Sequence, residues 1–474
     1  MTQYRPKNWR PGRAASDRVR KIVFDVLIDV AQNDSYANLL LPKALKRGNF
    51  QKQDAAYATN LCYGTLRLQG RWDAIIATCT NGRKLTDIDI PVLVLLRMGA
   101  HQLLEFKTPA HAAIYETVTL ARNELGSGAS GFINAVLRRV SERTITQWRD
   151  HVRDISGGNY GSVQFLATWF SHPEWIVRAL VNALKANGRS TKDIVSVLKA
   201  DNIPAPVALV ARDLKISDLQ TDIEKGSMRH EPGKLMPQSL LLTNGDPARI
   251  FAVKDKLAGV QDEGSQLVAK IFTTAAVENE DKKWLDLCAG PGGKSATIAA
   301  IATQRSAHLY ANELHSHRLD LVSQAVQPWS EIISLRTGDG RDIGIEEPES
   351  YDRILVDVPC TGIGALRRRP EARWRKNPSD AIDLQQLQIE LLESAWNALK
   401  PGGVLVYSTC SPYLPETHEV IKQFLAEHPA AKLLDAPKIA NSVAKIKFTS
   451  PTKMLQLWPD LHHSDAMFAA VIKK

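Results

Sequence analysis

Two cysteines stand where a thiol can do chemistry. Cys360 lies in DVPCTG, just past the apolar run YDRILVD, and Cys410 lies in YSTCSP, just past GGVLVY. Each follows a predicted strand, and the ends of adjacent strands open onto one crevice. A lone cysteine is more often a small buried apolar residue, but two flanked by Pro, Thr and Ser at strand ends fit a working pair. The chemistry open to a thiolate there is covalent addition. Carbon 5 of cytosine is too weak a nucleophile to take a methyl group unaided. A thiolate adding at carbon 6 breaks the ring's aromaticity, makes carbon 5 enamine-like and splits one hard step into two easier ones. A base must then remove the carbon-5 proton, and the thiol must leave. Asp357, which ends the strand before Cys360, is placed to steady such an adduct near N3 or N4. Lys294 is a cation suited to hold the base and favour the thiolate. The target base must first leave its stack.

A second group of residues suits a cofactor. WLDLCAGPGGKSATIAA reads as an apolar strand, a glycine-rich turn and a helix. Gly290, Gly292 and Gly293 allow close approach of backbone to a ligand, and the turn aims helix amides at it. Cys288, Ala289, Pro291 and Lys294 complete the loop. It is neither the phosphate loop with its terminal Lys-Ser/Thr nor a clean dinucleotide fingerprint, and Asp286 just before it would repel a phosphate. Glu313 ends the strand HLYANE, about 20 residues past the loop, where an acid accepts hydrogen bonds from ribose hydroxyls. Asp339, in RTGDGRD, is placed for an adenine edge. Acids at the C-terminal ends of successive strands match the ligand side of an open α/β sheet. An acid-rich pocket without phosphate ligands suits S-adenosylmethionine, whose sulfonium is positive, better than NAD, and no His or Tyr arrangement for hydride transfer is evident.

The elements that must position these residues follow from periodicity. Residues 261–474 alternate strand-like runs (WLDLC, AHLYANE, IISLRTGD, YDRILVDVP, GGVLVYSTC, MFAAVIK) with helical ones, which predicts a doubly wound, mostly parallel, Rossmann-like sheet. Residues 17–142 are helical throughout: Val19, Ile22, Val23, Val26, Leu27 and Val30 share one apolar face, and an all-α bundle is expected. Residues 143–260 read as a helical and small α+β connector. Residues 1–16 read as a basic flexible arm, part of a stretch with seven Lys or Arg and one acid before residue 22.

Composition narrows the class of partner. A net charge of +9 favours an anionic partner such as nucleic acid. Arg367, Arg368, Arg369, Arg373 and Arg375, with Trp374 among them, follow the Cys360 loop, and Arg138 and Arg139 close the helical block. Arginines suit phosphate, and an aromatic ring can stack a base. Five cysteines without C-x-x-C spacing argue against disulfides and against a cysteine-rich metal site, so no metal is expected. No apolar run is long enough to span a bilayer and the N-terminus carries no secretory signal. A cytoplasmic protein without a membrane partner is therefore expected, with monomer as the default.

Together QDEGSQLVA, DLCAGPGGKS, DVPCTGIGALRRRPEARWR and YSTCSP resemble the RNA cytosine-5 methyltransferases of the Nop2/Sun family, and the helical block ending SGFINAVLRRV looks like the RNA-binding domain of the antitermination factor NusB. The resemblance implies an S-adenosylmethionine-dependent enzyme acting on RNA, small-subunit ribosomal RNA in the first place and transfer RNA in the second, or else an assembly factor that has lost catalysis. It implies Cys410 as nucleophile and Cys360 as the thiol that helps release product. It also implies cofactor contacts at Cys288 to Lys294, Glu313, Asp339 and Asp357. The chain departs from the family pattern at Gly290, where alanine is usual, at Val358 and Thr361, and at Asp465-Ala466-Met467-Phe468, where an Asp-Gly-Phe-Phe run is common.

Overall fold

The structure, a computed structural model, describes residues 17–106 and 108–474. The expected basic arm lies outside them. The chain forms two compact units. One takes in the chain up to Val177 together with Arg368–Arg375, and the other takes in Arg178–Arg367 and Lys376–Lys474.

The first unit is helical among its described residues. Asp17 starts it: its side chain accepts a hydrogen bond from the Val19 amide (2.8 Å) and caps the helix Arg18–Gln32. The expected face of that helix is buried at Val19, Val23, Val26, Leu27 and Val30. Leu61, Trp72, Leu95 and Leu137, from four later helices, are fully enclosed. Burial of each such side chain stabilises by ~1.5–3 kcal/mol, so packing rather than propensity holds the helices.

Two further helices after residue 142 pack in the same compact unit. Helices Ile145–Ile155 and Val163–Trp169 bury Trp148, Val152, Phe165 and Trp169. The Trp148 indole donates to Val140 O (2.9 Å), and Arg71 donates to Trp169 O (2.7 Å). Part of the helical stretch that follows residue 142 thus packs against the bundle.

Arg368–Arg375 completes this unit from far along the chain. The Glu371 carboxylate accepts from the Ala37 amide (3.0 Å) at the start of the helix Ala37–Gly48, the positive end of its dipole. Arg373 is fully buried and donates to Arg67 O (3.1 Å) and Ser171 O (2.7 Å). Arg375 donates to Val30 O, Asp34 O and Ser35 O. Trp374 lies against Gly70, where a Cβ would come within 2.7 Å of the indole. Replacing Arg373 with methionine keeps much of the volume but strips buried carbonyls of their donor. It is expected to lower unfolding stability by about 2–3 kcal/mol, read as a fall in the urea midpoint. An unchanged midpoint would contradict this role.

The second unit holds two sheets. Strands β1 (Val207–Ala211), β2 (His230–Pro232), β3 (Ser239–Leu242) and β4 (Ala258–Val260) form an antiparallel sheet in the order β2-β3-β1-β4, the α+β piece expected before residue 260. The helical stretch ahead of it is tied by Arg189, which forms a two-pronged ion pair with Asp460 (3.0 and 2.8 Å). The main sheet contains β5 (Lys283–Asp286), β6 (His308–Glu313), β7 (Ile333–Thr337), β8 (Tyr351–Asp357), β9 (Leu399–Thr409), β10 (Lys432–Leu434), β11 (Leu455–Gln456) and β12 (Phe468–Lys473). Its order is β10-β12-β9-β8-β5-β6-β7, with β11 beside β12. The five strands β5 to β9 pair in parallel, while β12 runs antiparallel to β9. The chain winds outward from β5 to β7 and then returns to β5's other side with β8. That reversal opens a crevice above the carboxyl ends of β5 and β8, the ligand position of a doubly wound sheet.

Candidate active site

Strand β5 leads straight into the glycine turn and the helix Gly293–Gln304. Gly292 ends the turn at φ 96°, and a Cβ there would lie 2.8 Å from Val322 Cα, so the turn requires glycine. The Gly290 amide donates to Glu313 Oε2 (3.1 Å), which places the end of β6 against the loop. The Glu313 carboxylate is 4% exposed and also accepts from the His315 amide (3.1 Å). Asp339, two residues past β7, is held by Arg341 Nη2 (2.6 Å) and by Arg341 Nε. That hydrogen-bonded guanidinium keeps its pKa below the usual carboxylate value. Asp286, the last residue of β5, is buried and accepts from Ser295 Oγ (2.7 Å), while its other oxygen has no partner. Burial lifts its pKa to about 7.

Beside this loop lies the reactive cluster. Parallel pairing sets Asp357 directly against Ser408, so the residues just beyond both strands emerge on the same edge. The Cys360 and Cys410 sulfurs are 3.4 Å apart. Asp357 Oδ2 accepts from Lys294 Nζ (2.7 Å) and Oδ1 accepts from Ser408 Oγ (2.7 Å). Burial opposes the charge on Lys294. The Asp357 carboxylate, helped by Cys410 and Asp286, outweighs it and holds the ammonium above its ordinary pKa. Cys360 is pushed well up by its hydrogen bond with Cys410, then by burial and by the charges of Cys410 and Glu416. That direction favours the protonated thiol at Cys360. Burial also pushes the Cys288 thiol well up, which keeps it neutral. The loop after Cys360 closes over the site: Gly364 N donates to Cys410 O (2.9 Å) and Ala466 N donates to Gly364 O (2.9 Å). That strap includes the segment Asp465–Phe468, where the family pattern is altered.

The cluster thus brings Cys360, Cys410, Asp357 and Lys294 together, and sets Glu313 against the glycine loop. Sequence reasoning missed Ser408, Ser295 and Glu416. Ser408 was findable as the partner of Asp357 once the two strands are paired. The arginine series needs correction. Arg367 is 6% exposed and bonded to Asp465 (2.8 Å), Asp262 (3.2 Å) and His463 O (2.9 Å), and Arg373 is wholly enclosed. Desolvation is offset by these fixed acceptors, so neither guanidinium is offered to phosphate. Arg369 and Arg375 stack on the Tyr36 ring (5.3 and 5.0 Å). Arg368 is half-buried, and Trp374 shows 39% of its surface. Arg139 donates to Cys79 O (2.9 Å). Arg138 is exposed and lines, with Arg122, His111 and Tyr115, a depression of about 720 Å³ on the helical unit.

The loop fits S-adenosylmethionine. Both cations at the loop are committed to carboxylates, Lys294 to Asp357 (2.7 Å) and Arg318 to Glu313 (3.6 Å) while also donating to Gly290 O (2.9 Å), so neither stands free as a phosphate ligand. Beyond Gly293 a Cβ would meet nothing within 4 Å, so the turn has open space above it. Among the described residues no cluster of three or more His, Cys, Asp or Glu is arranged to hold a metal, and no helix is long and apolar enough to cross a membrane.

Fold and loop define a Rossmann-like methyltransferase that takes its methyl group from S-adenosylmethionine. The family model of 16S rRNA methyltransferases RsmB/F matches residues 273–473, and the NusB family model matches residues 17–142. A Mycobacterium tuberculosis protein named as a methyltransferase is 40% identical over 472 residues, 99% of each chain. The Bacillus subtilis protein named "Probable ribosomal RNA small subunit methyltransferase B" is 33% identical over 462 residues, 96% of this chain and 98% of its own. The crystal structure of PH0851 shares the fold, with a TM-score of 0.75 at 20% identity over 96% of this chain and 98% of that one. The chain belongs to the RsmB/F family of 16S rRNA methyltransferases and carries a NusB-family domain at its N-terminal end.

Proposed function

We propose that the protein methylates carbon 5 of a cytosine in small-subunit ribosomal RNA through a transient bond between Cys410 and the pyrimidine ring. The observation that carries this reading is the pair of sulfurs 3.4 Å apart beside the Lys294–Asp357 ion pair. A thiol pair has no use in methylating a nitrogen or an oxygen, which are nucleophiles already. It is what an unreactive ring carbon needs.

Bound at the glycine loop, S-adenosylmethionine supplies an electrophilic methyl group on a positively charged sulfur. The protein's own groups do the rest. The Cys410 thiolate adds to carbon 6, and the ring's electrons become available at carbon 5. As the thiolate adds, N3 of the ring takes a proton from solvent, and the Asp357 carboxylate, fixed by Lys294 and Ser408, accepts hydrogen bonds from the N3–N4 edge and steadies the neutral adduct; N3 returns that proton to solvent when the ring is restored. After methylation the carbon-5 proton passes to water, its electron pair restores the C5–C6 double bond, and the C6–S bond breaks onto Cys410. Cys360 gives its proton to that departing sulfur and is reprotonated by solvent. Glu313 and Asp339 are the carboxylates for the cofactor's ribose and adenine, with the backbone from Cys288 to Lys294 around them. The depression at Arg138 and Arg122 supports an RNA contact on the helical unit.

Bisulfite sequencing of total RNA, from cells with and without the gene, tests the reading. Loss of one protected cytosine in 16S rRNA is the expected result. Loss confined to transfer RNA would change the substrate, and no lost site would remove cytosine-5 methylation.

A further inference from the structure

Glu416 is fully buried and has no place in the mechanism above. It ends the short turn Leu414–Glu416, six residues after Cys410. Its Oε1 accepts from the Thr361 amide (2.6 Å) and its Oε2 accepts from the Thr361 hydroxyl (2.6 Å). Both bonds thus go to the residue that follows Cys360. The residue before Cys360 is held from the other side: Gln388 Nε2 donates to Pro359 O (2.8 Å). The Tyr407 hydroxyl, fixed near Gln388, donates to the Glu416 carbonyl (2.7 Å) and anchors the turn itself to β9. A buried carboxylate whose ligands are an amide and a hydroxyl, not a cation, is costly to maintain. Burial raises its pKa, and the hydrogen bonds from Ser411 and Thr361 pull the other way. A residue needed only to fill space there would be apolar.

We propose that Glu416 is a positioning residue for product release: it clamps Thr361 so that the Cys360 thiol stays within reach of the Cys410 sulfur. The inference rests on the proposed covalent mechanism. Without the clamp, Cys410 is still free to attack carbon 6 and the methyl is still transferred, because neither step needs Cys360. What suffers is proton delivery to the departing sulfur, so the methylated base stays bonded to the enzyme.

The test uses the full-length protein, transcribed 16S rRNA and labelled S-adenosylmethionine, with Cys360→Ala run alongside. Glu416→Ala is expected to reduce steady-state turnover at least about tenfold more than the first turnover, and to accumulate an RNA–protein adduct on a denaturing gel. Glu416→Gln is expected to recover most of the turnover, since its amide can accept from the Thr361 N–H and donate to the Thr361 oxygen. A merely structural glutamate would instead slow both phases together with no adduct, and that result overturns the proposal. Where Glu416→Ala fails to fold, Thr361→Val decides: slower release with visible adduct supports the clamp, and wild-type release overturns it. An adduct with Cys360→Ala but none with a folded Glu416→Ala removes the clamp and leaves the mechanism standing. No adduct with either, and a methyl on another atom, overturns both.

Discussion

Cys410→Ala is expected to abolish methyl transfer to RNA, with a loss on the order of 10^4-fold or more, while leaving folding intact. The size follows from the chemistry. Without addition at carbon 6, carbon 5 stays part of an aromatic ring and has no electron pair to offer, so the residual rate is that of cofactor and base merely held together. Folding should survive because the side chain is only half-buried and the structural bond at this position is made by its backbone: Cys410 O accepts from Gly364 N whatever the side chain. Scintillation counting of labelled methyl in 16S rRNA measures the loss, and a thermal melt checks the fold. A Cys410→Ala protein that methylated at the wild-type rate would remove Cys410 as the nucleophile.

What the sequence could and could not reveal divides along local and long-range lines. Six of the eight strands of the main sheet were legible as short apolar runs, several of them ended by an acid or followed by a cysteine, and those ends lie on one edge where the strands are parallel; β10 and β11, only three and two residues long, carry no such signal. Asp286, Glu313 and Asp357 each end a strand in the structure for that reason. The arginines from Arg367 to Arg375 were misread for the opposite reason. A run of like charges usually marks a solvated face, but Arg373 and Arg375 meet carbonyl oxygens from residues about 200 to 345 positions earlier, so nothing near them in sequence marks them as buried. The same blindness hid what covers the helices after residue 142. Trp148 and Trp169 carry apolar faces that any bundle might cover, and only the folded chain says which one does. Glu416 was invisible because a single glutamate in a turn has no period, and Thr361, which donates both of its bonds, lies 55 residues earlier.

Cys360→Ala is expected to do the reverse of Cys410→Ala: the first methyl is transferred, and the enzyme then stays bonded to its product. The Cys360 sulfur lies 3.4 Å from that of Cys410, and its raised pKa favours a thiol that can give a proton across that distance. Cutting the C6–S bond places charge on the Cys410 sulfur, and the proton poised there meets that charge as it forms. Alanine removes that proton from beside the departing sulfur and leaves solvent as the slower source. A single general acid is worth about 10^2- to 10^4-fold, so turnover should fall by about 10^2-fold or more. A band of RNA-linked protein should appear after denaturing electrophoresis and vanish in the Cys360→Ala, Cys410→Ala double variant. That double variant discriminates: only an adduct through Cys410 sulfur disappears with it. An adduct that persisted would place the bond on another residue, and an enzyme that turned over normally without Cys360 would show that the departing thiolate needs no acid at all.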